Sequence, residues 1–552
     1  MLRILVESPT TEATSMIVTR LRSFDDAWKP QSTSIENPVA QSFADEGDST
    51  VLIYLPSCRS NSKCLPCLNH ALTVIDSAGA LNHVILVSSA AFYGAHHHNQ
   101  GMLEEPKGTQ RYTKGSNSLT QAWADLEAIF RTKCHDLGIR LTILRPACIN
   151  EAGLPHNVAG QPQFRPMMGF NPAIQILPMQ ELCNAICCAV RKQREGTFNI
   201  APAKTLLLSE AFPSKSWLPS LPWSVRKRLA RSPEAADILE FARYSWTISG
   251  RKAQEELDYS PTVSPRDEHS SVADSFGMSP SFIQAFGRHI FWFFERCFWR
   301  IEVRGLENIP QQGKAVLAGF HRGFMPFDGV MLVHLLSKYR QRIPRFVIHP
   351  ALIKFPFIAN FMARLGGVVA CQKNANHVLE NGEMLGIFPE GIRGAFSMYR
   401  NAYQVSLSWR DDFARFAVEH EAVVIPIAVV GTADTFPILG RIPWKWGVKQ
   451  LEWPFLPLTP TFPLLPLPLP IKWHIHILPP ILSANSATSD DARKREVITA
   501  LSSQVRDAIQ SSVNEMLAAR PSKYYGSAFA PAASLPEAVS EAVLLHPDGQ
   551  AA

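Results

Sequence analysis

Apolar positions along the chain follow two periods. Over residues 1–260, short apolar runs at 2–6, 50–55, 84–88 and 140–144 read as buried strands. Between them, 14–22 and 119–137 carry apolar residues at helical spacing. Strands alternating with helices predict an α/β fold built on a doubly wound parallel sheet. Residues 206–248 predict further helices around Trp217, Trp223 and Trp246, and the Ser/Pro/Asp-rich stretch 261–280 reads as a linker. Residues 281–300 then place Phe282, Phe286, His289/Ile290, Phe293/Phe294 and Cys297/Phe298 at helical spacing. Phe and Trp beside Arg suit a helix lying in a membrane interface, with a buried packing helix as the alternative.

The runs 316–320 and 384–387 read as buried strands, each followed by a polar turn, and 329–338 reads as a helix. The Pro/Leu-rich stretch 453–480 excludes a helix and a central strand, so it is expected as an extended apolar segment outside a regular core, facing lipid. Within it, 471–478 alternates and reads as a closing strand. Residues 489–519 predict an amphipathic helix through Val497, Leu501, Val505, Ile509 and Val513, and a disordered tail is expected after Pro521. The expected division is 1–260, a linker 261–280, a second domain 281–483, a helix 484–520 and a tail 521–552.

With 552 residues, 46% hydrophobic and 18% charged, the composition is globular and long enough for at least two cores. Net charge is +6, and residues 281–345 alone hold ten Lys/Arg against four acids, also +6. Cations interleaved with Phe and Trp suit an anionic membrane surface, and no nucleic-acid motif accompanies them. The ten cysteines form no spaced framework, which predicts reduced thiols and a cytosolic face. Cys64 and Cys67 make a lone Cys-x-x-Cys; Cys183, Cys187 and Cys188 read as core, and His96–His98 as a solvated loop. The first residues are too quickly polar for a signal peptide, and no uncharged run reaches the roughly 18–20 residues of a spanning helix. A peripheral protein on the cytoplasmic side of a membrane is expected.

The chemistry concentrates in two turns. His321-Arg322-Gly323-Phe324-Met325-Pro326-Phe327-Asp328 follows the first strand-like run, and Phe388-Pro389-Glu390-Gly391-Ile392-Arg393 follows the second. An imidazole held by a carboxylate makes a general base, and a Glu-Gly-x-Arg turn offers a cation and backbone N–H groups to a phosphate or carboxylate. Together the turns resemble the PlsC-like glycerolipid acyltransferases, over roughly residues 300–480. That family carries His-x4-Asp, a Gly-rich segment ending in Arg, Phe-Pro-Glu-Gly-x-Arg, and an apolar strand containing Pro. The third motif matches in full, and 423–427 fits the fourth. The first departs, with six residues between His321 and Asp328; Gly323 and Pro326 are expected to loop out. Asp328 also reads as the N-cap of the helix 329–338. The second departs as well, since 365–373 has Gln372 or Lys373 where the family has Arg.

Over residues 1–260, Val87-Ser88-Ser89-Ala90-Ala91-Phe92-Tyr93-Gly94, Leu144-Arg145-Pro146-Ala147 and Gly196-Thr197-Phe198-Asn199-Ile200 resemble the extended short-chain dehydrogenase/reductase and epimerase family. The resemblance implies a Rossmann-like fold. The dinucleotide pattern Gly-x-x-Gly-x-x-Gly falls on Ser8, Thr11 and Thr14, whose side chains would intrude on a pyrophosphate. The Tyr-x-x-x-Lys pair falls on Leu119 and Trp123 in the register set by Glu127, which leaves Ser89 without its partners. No redox activity is expected from this domain.

The acyltransferase resemblance implies acyl transfer from a thioester, acyl-CoA or acyl carrier protein, to a lipid hydroxyl such as that of lysophosphatidate. His321 would be the general base and Asp328 would orient it. Glu390, Gly391 and Arg393 would organise the acceptor site, with Arg322 and Lys373 as further phosphate or CoA contacts. No metal or bound cofactor is needed. The rivals are a bifunctional enzyme with an active N-terminal oxidoreductase or epimerase, and a lipid-binding scaffold without catalysis.

Overall fold

A computed structural model describes residues 2–8, 10–32, 49–56, 69, 72–73, 75–76, 81–99, 101–106, 118–149, 158, 164–213, 221–230, 233–262, 274–405, 409–444, 448, 452–461, 467–482 and 491–520. Cys64, Cys67, the prolines at 463 and 466 and the tail after 520 lie outside the described residues. The chain divides into two compact units. Unit 1 comprises Met1–Met278 with Ile353–Phe361, and unit 2 comprises Ser279–Leu352 with Met362–Ala552. The division falls inside the stretch read as a linker. Residues 353–361, expected in the second domain, belong instead with unit 1 because backbone bonds hold them there, including Phe357 N–H to the Gly169 carbonyl at 2.7 Å.

Unit 1 is built on six parallel strands: β1 (Leu2–Glu7), β2 (Trp28–Ser32), β3 (Ser49–Tyr54), β4 (Leu81–Val87), β5 (Arg140–Pro146) and β6 (Gly196–Ile200). Their order is β2-β1-β3-β4-β5-β6. Strands buried on both faces need unbroken apolar runs, and Ile4–Val6, Val51–Ile53 and Val84–Val87 are wholly buried. Pro30, which cannot donate to a ladder, sits in the edge strand β2. The helices include α1 (Thr11–Phe24), α2 (Ser118–Asp136) and α3 (Met179–Lys192), and α3 buries Cys183, Cys187 and Cys188 as core.

Unit 2 opens with α4 (Pro280–Phe286), which continues through π-helical turns at Gly287–Phe291 and Phe294–Phe298. Its main sheet has seven strands: β7 (Glu302–Arg304), β8 (Ala315–Gly319), β9 (Arg345–Ile348), β10 (Val368–Val369), β11 (Met384–Ile387), β12 (Val423–Val430) and β13 (His474–Ile477). The order is β7-β13-β12-β8-β11-β9-β10, parallel except for the β12–β13 pair. Helices α5 (Phe327–Arg340), α6 (Gln372–Glu380), α7 (Gly391–Ala395), α8 (Asp412–Glu419) and α9 (Asp491–Ala518) complete what the site requires. The α9 stripe is buried through Leu501, Val505, Ile509 and Val513, with Ile498 rather than Val497 starting it. The Pro/Leu-rich stretch contributes the strand Leu456–Leu458, paired antiparallel with Gly440–Ile442, and leaves Leu467 exposed.

The 280–298 helix has two faces, and the π-helical turns set which residues occupy each. Ile283, Phe291, Glu295 and Trp299 are buried, and Trp299 stacks on Trp473 of unit 2 with centroids 4.3 Å apart. Ile290, Trp292, Phe293 and Cys297 face solvent beside Arg288 and Arg296. Inside, the Glu295 carboxylate meets His334 at 2.8 Å, Tyr339 at 2.6 Å and Lys338 at 3.0 Å, all on α5. Burial by itself would raise this carboxyl, but the bonds from His334 and Tyr339 and the Lys338 charge hold it at about 2. A carboxyl held low stabilises the fold above its ordinary pKa, and that contribution is lost as pH falls through the folded value. Acid unfolding should therefore show wild type losing roughly 3 kcal/mol between about pH 4.5 and pH 2 that Glu295→Gln does not lose.

Candidate functional site

Parallel pairing delivers the chemistry to one edge of the unit 2 sheet. Ala318 of β8 lies opposite Ile387 of β11 and Pro426 of β12, so the segments after all three strands leave the sheet side by side. Three residues beyond these partners come His321 and Glu390, and past β12 comes the turn at Thr432. The carboxyl edge of parallel strands is where α/β proteins place ligands.

His321 Nδ1 lies 2.5 Å from Asp328 Oδ2, and both side chains are buried. The six intervening residues fold back as a loop. Gly323 adopts φ +87°, and a Cβ there would lie 2.8 Å from the Thr432 carbonyl, so the loop takes this path only with glycine. Asp328 is not the N-cap of its helix. Helix α5 begins at Phe327 after Pro326, and Asp328 sits in its first turn, where Oδ1 accepts the Gly329 N–H at 2.8 Å. Its two oxygens are thus assigned, one to the helix and one to the imidazole. The His321 ring rests against Phe388, with centroids 4.7 Å apart.

Arg322 and Glu390 form a buried bidentate pair. Arg322 also donates from Nε to the Ala402 carbonyl at 2.9 Å, from Nη1 to the His321 carbonyl at 2.7 Å and from Nη2 to the Gln404 carbonyl at 2.7 Å. Every donor of its fork is engaged by protein. The expectation of a phosphate or CoA contact from Arg322 is therefore corrected. Its guanidinium instead locks the first turn to the second and to 402–404. Glu390 faces this clamp rather than Arg393. The Gly391 N–H is also engaged, donating to the Phe388 carbonyl at 2.8 Å, so it is not open to an oxyanion. Arg393 is exposed and makes no ion pair or hydrogen bond among the described residues. Lys373, exposed in the first turn of α6, follows β10, three strand positions from β8 and so roughly 14 Å across the sheet. It stands outside the buried cluster.

Two features of the site escaped the sequence. Phe324, inside the long loop, packs on Phe396 at 5.2 Å and Trp453 at 4.9 Å, and Phe396 packs on Phe455 at 5.4 Å. This gives the loop an aromatic wall supplied partly by the Pro/Leu-rich stretch. Behind the Thr432 turn, buried Asp434 accepts bonds from Tyr399 at 2.6 Å, from Tyr403 and from Arg520 at 2.7 Å, tying the end of the C-terminal helix to this edge. A tyrosine pair beside a lone Asp has no spacing rule that announces it.

In unit 1 the segment after β1 is capped by its own side chain. Thr10 Oγ1 accepts the Ala13 N–H at 3.2 Å at the start of α1, and Thr14 is buried. Trp123 is buried, and Ser89 Oγ accepts the Ala91 N–H at 3.1 Å. Among the described residues, His96, His97 and His98 are a group able to share a metal ion, with ligand atoms within 4.8 Å of one another.

The described site is a buried His–Asp dyad at the carboxyl edge of a largely parallel sheet, beside a Glu/Arg clamp. The chain carries a domain of the acyltransferase family: the model described as Acyltransferase matches residues 300–430. An uncharacterized protein of Mycobacterium leprae is 32% identical over 261 residues, covering 46% of this chain and 70% of that protein. A Bos taurus protein named "DGAT1/2-independent enzyme synthesizing storage lipids" is 24% identical over 216 residues, covering 39% of this chain and 59% of its own length. A "Lyso-glycine lipid O-acyltransferase" of Phocaeicola vulgatus is 24% identical over 158 residues, covering 27% of this chain and 54% of its own. Among solved structures, a UDP-N-acetylglucosamine 4-epimerase from Bacillus cereus aligns with a TM-score of 0.33 at 14% identity, over 48% of this chain and 95% of that one.

If Arg322 is a clamp, Arg322→Ala leaves Glu390 buried without its partner and should cost about 3–5 kcal/mol in denaturant unfolding of unit 2. A residue that only touched substrate would leave the unfolding midpoint in place.

Proposed function

We propose that unit 2 transfers a fatty acyl group from a thioester, acyl-CoA or acyl carrier protein, to the hydroxyl of a lipid such as lysophosphatidate. The observation that carries this reading is the 2.5 Å contact of His321 Nδ1 with Asp328 Oδ2, which leaves Nε2 as the ring's working nitrogen. His321 Nε2 takes the hydroxyl proton as the oxygen attacks the thioester carbonyl. The tetrahedral intermediate then expels the thiolate, which His321 protonates. Asp328 holds the proton on Nδ1 and stabilises the imidazolium between the two transfers. No metal or redox group enters this sequence.

Family membership and relatives named for lipid acylation support the substrate class. Arg393, exposed at the motif's end, is the cation for an acceptor phosphate, with Lys373 a more distant contact. The aromatic wall of Phe324, Phe396 and Trp453 is apolar and adjoins the loop carrying the dyad, which suits the acyl chain. No helix among the described residues is long and apolar enough to cross a membrane. The exposed Ile290, Trp292 and Phe293 beside Arg288 and Arg296 support a peripheral position on an anionic bilayer. In unit 1, the self-capped α1 and the buried Trp123 support the absence of redox chemistry from this reading.

His321→Ala should abolish acyl incorporation into lysophosphatidate, measured with radiolabelled acyl-CoA, while circular dichroism stays unchanged. Asp328→Asn should lower kcat by about 10²–10⁴-fold with little change in KM. Near-normal turnover of His321→Ala would overturn the mechanism.

A further inference from the structure

Unit 1 carries an apolar surface that neither its core nor the proposed chemistry uses. Pro222 starts a short helix, Trp223–Leu229, whose inner side is engaged. The Trp223 indole N–H donates to Glu240 at 3.2 Å, and Arg226 donates to the carbonyls of Arg165 and Pro166 at 3.0 and 3.2 Å. The opposite side repeats at every fourth residue. Leu221, Val225 and Leu229 are 51%, 39% and 64% exposed.

Two neighbouring segments adjoin this stripe through backbone hydrogen bonds. Met168, itself exposed, donates its backbone N–H to the Leu221 carbonyl at 3.4 Å. The next residue, Gly169, accepts the Phe357 N–H at 2.7 Å, so the excursion 353–361 adjoins the stripe within unit 1. Arg243 fastens the same excursion by donating to the Lys354 carbonyl at 3.0 Å. Phe357 has φ +64°, a backbone conformation that bulky side chains rarely adopt, yet the residue is 59% exposed. A strained backbone holding an aromatic ring out in water is the reverse of what core packing selects.

Charge decides the kind of partner. Residues 221–230 contain Arg226, Lys227 and Arg228 and no acid, and Lys354 stands in the excursion. The carboxylate of Glu240 is occupied by Trp223, Arg243 at 3.6 Å and Lys227 at 4.0 Å. Arg228 is exposed and has no ion pair among the described residues. Protruding Leu, Val, Met and Phe side chains with interleaved cations match the boundary between acyl chains and anionic headgroups.

We propose that unit 1 docks on an anionic lipid bilayer through Leu221, Val225, Leu229, Met168 and Phe357. The proposal rests on the lipid-acyltransferase reading only for its purpose, bringing the chain to where its acceptor resides. Its test reads binding rather than turnover, so the two readings can fail separately.

The full chain is floated with vesicles of phosphatidylcholine alone, or with 30% phosphatidylglycerol (a composition of about one anionic lipid in three). Wild type should bind the anionic vesicles at least tenfold more strongly than the neutral ones. The variant Leu221→Ser/Val225→Ser/Leu229→Ser/Phe357→Ser should lose at least tenfold of that binding, with its unfolding midpoint maintained because each side chain is exposed. Arg228→Glu alone should reduce binding to anionic vesicles and leave binding to neutral ones unchanged. A four-site variant that floats like wild type overturns the proposal. So does wild-type binding indifferent to phosphatidylglycerol, or a four-site variant whose sole change is dissociation of a dimer, which would assign the patch to a second copy of the chain.

Discussion

The bond between His321 and Asp328 spans a loop two residues longer than the spacing of the acyltransferase pattern, and much of unit 2 serves to close that span. The loop has no regular structure to hold it. Its closure comes from the left-handed Gly323 lying against the Thr432 carbonyl, from Asp328 being fixed in the first turn of α5, and from Arg322 tying the segment to Glu390. Fixing so many loop residues costs conformational entropy of about 1–2 kcal/mol per residue. The offset comes from a fully engaged guanidinium and from packing of Phe324 into its aromatic neighbours. The dyad is thus a product of tertiary contacts acting on a flexible segment.

Arg322 and Glu390 illustrate why a charged pair beside a candidate catalytic turn is not by itself a substrate site. An ion pair taken out of water is stable only if its remaining donors and acceptors are also met. Here the carbonyls of His321, Ala402 and Gln404 meet them. That arrangement joins three separate chain segments at one point. Arg393, at the same motif but on the solvent side, takes no part in it and makes no ion pair among the described residues. The Asp434–Arg520 pair extends the principle to the C-terminal helix, which lies outside the 300–430 family match but is fastened to the same edge.

The 280–298 helix shows how a side chain on one element reaches the site through another. Glu295 binds His334, Lys338 and Tyr339 of α5, and α5 begins with the turn that holds Asp328. The exposed Ile290, Trp292 and Phe293 lie on the other side of the same helix.

Sequence alone determined the strands that are buried on both faces and the identity of the dyad. Strands wholly buried in parallel sheets must be continuous apolar runs, so β1, β3, β4, β5, β8, β11 and β12 were all legible. The His, Asp and Glu-Gly-x-Arg residues were legible because each turn follows such a run. What the tertiary structure alone decided was who pairs with whom. Arg393 stands three residues from Glu390 and Arg322 stands 68 away, so nothing along the chain marks Arg322 as the partner; parallel register between β8 and β11 brings the two together. Likewise, the apolar stripe of 280–298 was visible as a period, but π-helical turns and the burial of Glu295 decided which side faces water. Periodicity records which residues share a face. Only packing between distant segments determines what that face meets.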